Sequence, residues 1–314
     1  MIRVRASRGF TLVELLIVIV VIAILAAITI VAYGGVTSRA QAATLQSDLS
    51  QAKTFLEGYL AQNGTYPADL PTAHSAGLKI SSGDTLTYTV NNSVNPATYT
   101  LTATNSTQNY FVNNTSQTSP QSGITNFIPN PAFRSDTNNW GSWSYPGGSA
   151  VASRVTTGGP TAALPDFWRL TISTTPTGSP ANVPTAYVPV APGATYCGSA
   201  YVRYSAALAN GPRLDIFAKD ASGVNTTLQG PTQSVTVGSW GRIYQCATMP
   251  ATTATAAIVV EYSGPTTLPV GATLDVTGAM FTQGSTLYNY ADGATTGWVW
   301  GGLIDESPSS GPAV

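Results

Sequence analysis

The chain has 314 residues, which suggests two or three domains; only 9% are Asp, Glu, Lys or Arg, and the net charge is −1. That balance provides no broad basic field to attract nucleic acid, so no specific nucleic-acid partner is expected. Thr, Ser, Asn and Gly fill the polar positions, a composition that suits extracellular β-structure better than a cytosolic enzyme.

Arg3, Arg5 and Arg8, with no acid among them, precede an uncharged apolar run over residues 15–33. At 19 residues the run is about long enough to cross a hydrocarbon core as a helix. The arginines keep their end cytoplasmic and predict export of the rest. Glu14 stands at the mouth of the run. A carboxylate at the centre of a membrane helix costs roughly 2.5–3.5 kcal/mol, and less near the end, where it can snorkel. A secretory signal peptide would end in a small-residue cleavage site after its apolar region. Here the natural cut, Gly9-Phe10, lies before the run, so cleavage would discard only the basic leader.

Gly9-Phe10-Thr11-Leu12-Val13-Glu14-Leu15-Leu16 resembles the class III leader of type IV pilins and pseudopilins over about thirty residues. The resemblance implies a prepilin peptidase that cuts after Gly9 and methylates the new amino group of Phe10. It also implies that Glu14 pairs with the N-terminal ammonium of a neighbouring subunit. The physics agrees: a carboxylate in an apolar fibre core must be paired or neutralised, and a misregistered subunit would leave both charges unpaired. The alternative is a plain membrane anchor with a chance acid.

The helix is predicted to continue beyond the apolar run. Gly34 and Gly35 each weaken a helix interior by roughly 1 kcal/mol, so they are the predicted hinge. Leu45, Leu49, Ala52, Leu56 and Leu60 then recur at helical spacing and predict a face that packs on a globular head. From Thr11 to Ala61 the helix would reach about 75 Å. Asn63-Gly64-Thr65-Tyr66-Pro67 ends it with Gly and then Pro. Alternating segments at 86–90, 99–103 and 110–113 predict a small antiparallel meander. Residues 116–123, rich in Ser, Thr, Gln and Pro, are read as a linker.

From Asn126 onward, short strands are predicted at 167–172, 186–190, 196–204, 213–218, 241–248, 256–262 and 273–281, a pattern of a β-sandwich. The Asn130-Pro131-Ala132-Phe133 opening with Trp140, the Ser239-Trp240-Gly241-Arg242 strand entry, residues 274–281 and the 288–301 tail resemble carbohydrate-binding-like jelly rolls. The resemblance covers about 185 residues. This fold serves many roles. Cys197 and Cys246, an even count in an exported segment, predict one disulfide across neighbouring strands, with two buried free thiols as the alternative.

The predicted fold class is α+β: a long N-terminal pilin helix packed on a small antiparallel β-sheet head, then an all-β jelly-roll sandwich. The predicted domains are a leader over 1–9, a helix over 10–62 with 10–33 in membrane or filament core, a head over 63–118, a linker over 119–124 and a jelly roll over 125–314. His74 is the one histidine, so Ser-His and Cys-His catalysis is not expected. Asp215, Asp220, Glu261 and Asp275 sit in no recognisable catalytic motif, and no catalytic residue is assigned. Trp143, Tyr145 and Trp298 are the candidate glycan contacts, while Trp140, Trp168 and Trp240 fit core positions. No cofactor is expected; the jelly-roll resemblance makes a structural calcium a candidate, with Asp275 and Asn130 as ligands. Expected partners are identical or homologous pilin subunits in a helical filament, a prepilin peptidase with an inner-membrane assembly platform, the membrane before assembly, and a surface glycan as a candidate. The expected location is the cytoplasmic membrane, as a single pass, and then an extracellular pilus. The leading expectation is a structural type IV pilus subunit supporting adhesion or twitching motility. A glycan-binding minor pilin and a type II secretion pseudopilin are the alternatives.

Overall fold

The computed structural model of the chain describes residues 12–81, 84–93, 95–105, 108–114, 120–141, 149–175, 181–208, 210–262 and 268–313, with the side chains of 12–14, 18, 23–38, 121, 181 and 182 outside that description. The chain divides into two units, Met1–Thr44 and Leu45–Val314.

The first unit is helical from Leu12, within helix α1 (Leu12–Asn63). The helical backbone carries through Gly34 and Gly35 without interruption, where the sequence predicted a hinge. Two glycines cost roughly 2 kcal/mol together, and a break would forfeit the hydrogen bonds of the turns on both sides. Leu15, Leu16, Ile17, Ile19, Val20, Val21 and Ile22 are 47–60% exposed. Among the described residues no helix is long and apolar enough to cross a membrane.

In the second unit α1 ends as its sequence dictates. Gly64 adopts φ 74° and its N–H donates to the Leu60 carbonyl at 2.8 Å, a glycine cap that an L side chain would strain. Asp69 caps a short helix, α2 (Leu70–Ser75), by accepting from the Thr72 N–H at 2.7 Å. Strands β1 (Thr85–Asn91), β2 (Thr98–Thr104), β3 (Asn109–Asn113) and β4 (Gln121–Ser122) form an antiparallel sheet in the order β1-β2-β3-β4. Alternation gives this sheet two chemically distinct faces. Leu86, Tyr88, Tyr99, Leu101, Ala103 and Val112 share a core with Leu45, Leu49, Ala52 and Leu56 of α1. The opposite face carries Thr85, Thr87, Thr89, Thr100, Thr102 and Thr104 in register.

Next come β5 (Ile124–Asn126), β6 (Ser149–Val155), β7 (Phe167–Thr174), β8 (Ala181–Pro184), β9 (Val188–Pro189) and β10 (Thr195–Tyr204). They are followed by β11 (Pro212–Asp220), β12 (Asn225–Leu228), β13 (Gly241–Thr248), β14 (Thr253–Tyr262), β15 (Thr273–Gln283), β16 (Val299–Trp300) and β17 (Ser309–Gly311). One sandwich sheet has the order β13-β10-β15-β7-β6; the other runs β12-β11-β14-β8, with β9 also on β14. From β10 to β15 the chain passes back and forth between the sheets, with the β11-β12 hairpin staying within one of them, as in a jelly roll. Trp168, Tyr196, Val202, Leu274 and Phe281 of one sheet meet Leu214, Ile216, Ile258, Val260 and Tyr262 of the other in a shared core.

A third small sheet, β16-β17-β5, joins head and sandwich. Residues 119–124, read from composition as a linker, instead contain β4 and lead directly into β5, with Ile124 2% exposed. Ser/Thr/Gln-rich sequence mimics a linker because its hydrophobicity is low. Here its partners are hydroxyls, so polarity does not prevent burial: Thr125 Oγ1 lies 2.7 Å from Thr102 Oγ1 and 2.8 Å from Ser310 Oγ. Thr87 Oγ1 reaches Tyr196 Oη at 2.9 Å and Gln283 Oε1 at 3.0 Å. The threonine face of the head is thereby buried against the sandwich.

Candidate functional site

Gly9 and Phe10 lie outside the described residues, and Glu14 is described only as backbone within α1. What the structure adds at this end is the chemistry of the helix surface. Seven large apolar side chains between Leu15 and Ile22 are half exposed, at positions 15–17 and 19–22, which together spread around the circumference of a helix at 3.6 residues per turn. A helix apolar all round requires an apolar surround.

In the sandwich, Cys197 of β10 and Cys246 of β13 face each other in register and are bonded, with 49 residues of sequence separation. The disulfide ties an edge strand to its neighbour. No free cysteine remains.

The glycan candidates fare differently. Trp143 and Tyr145 lie outside the described residues. Trp298 is 4% exposed and clusters with Ile124, Met280 and Ala291. A Cβ on Gly311 would stand 2.4 Å from its ring, so glycine there is what lets the ring close on β17. Trp298 is therefore a packing residue of the head–sandwich junction, and its ring offers no face to a sugar. Of the expected core tryptophans, Trp168 is 2% exposed in the main core. Trp140 is half-buried, 4.9 Å from the Phe133 ring, and its Nε1 donates to the Asn130 carbonyl at 3.0 Å. Trp240 departs from expectation. It stands outside the core, packed edge-on to Phe167 at 5.3 Å, with the Arg203 guanidinium 4.6 Å from its centroid. Pairing with Phe167 and a cation satisfies a half-exposed aromatic as well as burial does.

Each acid weighed for chemistry has a structural partner. Asp275, 1% exposed, receives Arg169 Nε at 2.7 Å on Oδ1 and Arg169 Nη2 at 2.9 Å on Oδ2. Arg203 Nε also donates to Oδ2, at 2.9 Å. This hydrogen bonding holds Arg169 above the ordinary guanidinium value. Two guanidiniums occupy the oxygens that a calcium ion would need, so Asp275 does not fit the calcium role. Asn130 spends its amide nitrogen on Asp136 Oδ1 at 2.8 Å and the Asn138 carbonyl at 3.0 Å. Arg213 bridges Asp215 at 3.2 Å and Glu261 at 2.5 Å. Burial, and then the neighbouring Asp215, raise the Glu261 carboxyl. Asp220 accepts from the Ser222 and Val224 N–H groups of its turn, both at 2.9 Å. Among the described residues no group of three His, Cys, Asp or Glu could hold a metal.

Arg134 was not singled out by sequence. It bonds Asp292 and lies 3.6 Å from Asp305, tying the start of the sandwich to the tail. Burial alone would lower its pKa, but the hydrogen bond it donates to Asp292 and the negative charge of Tyr290, Asp292 and Asp305 together outweigh this, and the group is raised. An isolated arginine followed by polar residues carries no signal for a partner some 158 positions away.

Among solved structures, the C-terminal family 22 carbohydrate binding module of Clostridium thermocellum Xyn10B is similar at TM-score 0.39 and 14% identity, covering 51% of this chain and 94% of that one. The bacteriophage CBA120 tailspike protein 4 domain reaches TM-score 0.39 at 14% identity, over 50% of this chain and 21% of that one. Likeness at that level carries no argument about a ligand. The prokaryotic N-terminal methylation motif matches residues 4–30. The type IV wide pilus major component PilA4 of Thermus thermophilus is 41% identical over 75 residues, 24% of this chain and 57% of that protein. The type IV major alpha-pilin of Moraxella bovis is 41% identical over 61 residues, 19% of this chain and 38% of that protein. The chain thus spans little more than half, or less, of the length of these curated relatives. Its amino-terminal segment carries the methylation motif at residues 4–30 and is similar to the corresponding segment of type IV pilins.

Proposed function

We propose that the chain is a structural subunit of a type IV pilus, built into the fibre through its N-terminal helix and displaying the head and sandwich outside. The observation that carries this reading is the all-round apolar surface of α1 inside the methylation motif. Leu15 to Ile22 leave seven large side chains 47–60% exposed. Covering each is worth roughly 1 kcal/mol, about half the value of burying a fully exposed aliphatic side chain. Lipid before assembly and neighbouring helices after it both supply that cover, so a single-pass membrane stage followed by an extracellular filament accommodates the same surface.

In this reading the peptidase cuts after Gly9, Phe10 receives the methyl group, and the Glu14 carboxylate pairs with the Phe10 ammonium of the next subunit. The long helix, gripped by the head through Leu45, Leu49, Ala52 and Leu56, is the structural link between fibre core and surface. Adhesion and twitching motility are downstream roles of such a fibre. Mass spectrometry of subunits from sheared surface filaments tests the reading. A chain beginning at N-methylated Phe10 is expected; a chain that retains Arg3 and Arg5, or is absent from filaments, would refute it.

A further inference from the structure

The head sheet ends at β1, whose one strand partner is β2. Among the described residues, no backbone hydrogen bond leaves β1 for an element other than β2. The free edge forms the floor of a cleft of about 910 Å³ that is lined by every residue from Asp84 to Asn91. Pro71 and His74 of the head and Tyr187, Pro192 and Thr253 of the sandwich also line it. Exposed edge strands are templates for pairing, and native proteins usually blunt them with charge, proline or a bulge. Within Thr85–Asn91 there is no charged residue and no proline.

Two further observations point to an occupant. Asp84 Oδ2 and Thr89 Oγ1, near the two ends of the strand, are buried oxygens without a hydrogen-bond partner among the described residues, and both residues line the cleft. The cleft also has one sign of charge: Asp69, Asp84 and Glu306 line it, and no Lys or Arg does.

We propose that this cleft binds an extended basic polypeptide segment of a partner protein by strand addition to β1. Main-chain hydrogen bonds to the free edge would hold the segment in the plane of the head sheet, and side chains on alternate positions would point to opposite faces of that sheet. A seven-residue segment matching β1 spans about 23 Å. Its Lys or Arg side chains meet Asp84 and Glu306. A second copy of this chain is a poor donor. Arg134, Arg154, Arg169, Arg203 and Arg213 are engaged by its own carboxylates, and beyond the basic leader its other cations stand singly in the sequence.

The test uses the full chain in detergent micelles and an acetylated, amidated heptapeptide, Thr-Lys-Val-Lys-Val-Lys-Thr, read by fluorescence anisotropy and amide hydrogen exchange. The peptide is expected to bind, to slow exchange within residues 85–91, and to lose binding when its backbone is N-methylated at alternate positions. Glu306→Gln is expected to weaken it by roughly two- to five-fold at low salt, in line with an exposed ion pair, and Asp84→Asn by more than that, because the Asp84 Oδ2 is buried. Because the methylated peptide probes the unaltered protein, the test does not depend on a variant folding. Equal binding of the methylated peptide, or protection elsewhere than 85–91, would overturn the proposal. So would a xylo-oligosaccharide that displaces the peptide and protects the same amides, or self-association of the chain that Asp84→Asn abolishes.

Discussion

Asp275→Asn removes one charge from the sandwich without creating a cavity. The native carboxylate is 1% exposed and accepts from two arginines at 2.7–2.9 Å. Asparagine keeps the shape, but its NH₂ must face guanidinium donors, so at least one strong bond becomes a donor–donor contact. Breaking a buried ion pair from one side costs about 3–5 kcal/mol. The side chains of Arg169 and Arg203 are 30% and 22% exposed, so water recovers part of their solvation and the expectation falls to about 3 kcal/mol. For a unit of this size, 1 kcal/mol shifts Tm by about 2–4 °C, which predicts a loss of about 6–12 °C. Arg203 also stacks 5.0 Å from Phe167 and 4.6 Å from Trp240. The near-UV circular dichroism of those rings is therefore expected to change with the substitution. Calorimetry together with near-UV dichroism is the assay. A Tm within 2 °C of the parent, roughly 1 kcal/mol or less, would refute the view that these arginines depend on Asp275.

Replacing both Cys197 and Cys246 with serine is expected to cost about 4 kcal/mol on the loop-entropy estimate, given 49 residues of separation; denaturant melts with and without reductant check this. Burial raises the Tyr196 hydroxyl from 10.0 to about 12, partly offset by its bonds with Thr87 and the Ala191 N–H. The native state therefore keeps this proton where the unfolded chain loses it. The associated stability is complete below pH 10 and disappears as pH rises toward about 12, by about 3 kcal/mol at 1.36 kcal/mol per unit; Tyr196→Phe is expected to give a shallower decline across that window in melts at stepped pH. Trp298→Ala is expected to cost about 3–5 kcal/mol. Trp298→Phe is expected to cost far less, because Nε1 has no partner among the described residues, and chemical denaturation of the pair separates the two.

The sequence made some layers legible and left others hidden, for physical reasons. Runs whose apolar residues recur on one face and enter a core, such as Leu86, Tyr88 and Val90 or Tyr196, Ala200 and Val202, stand out as a period of two in the sequence. Edge strand β6 (Ser149–Val155) was missed because neither of its faces is well buried and its residues show no alternation. Strands β5, β16 and β17 have only two or three residues each, too few to carry a period. The threonines of β1 and β2 carry no signal of what they meet, since β-branched hydroxyls suit an exposed strand as well as a polar interface. Their burial becomes visible only with Thr125, Tyr196, Gln283 and Ser310 in place. At the proposed assembly site the opposite holds. The Gly9-to-Leu16 motif is local in sequence, so it was readable without any tertiary information.

A side-chain-resolution reconstruction of the native surface filament tests the central claim most directly. The account predicts the Glu14 carboxylate within ion-pair distance of the N-methylated Phe10 ammonium of a neighbouring subunit, with Leu15 to Ile22 buried among adjacent helices. A filament without this chain, or one in which Glu14 faces solvent and the apolar residues are not covered, would contradict it.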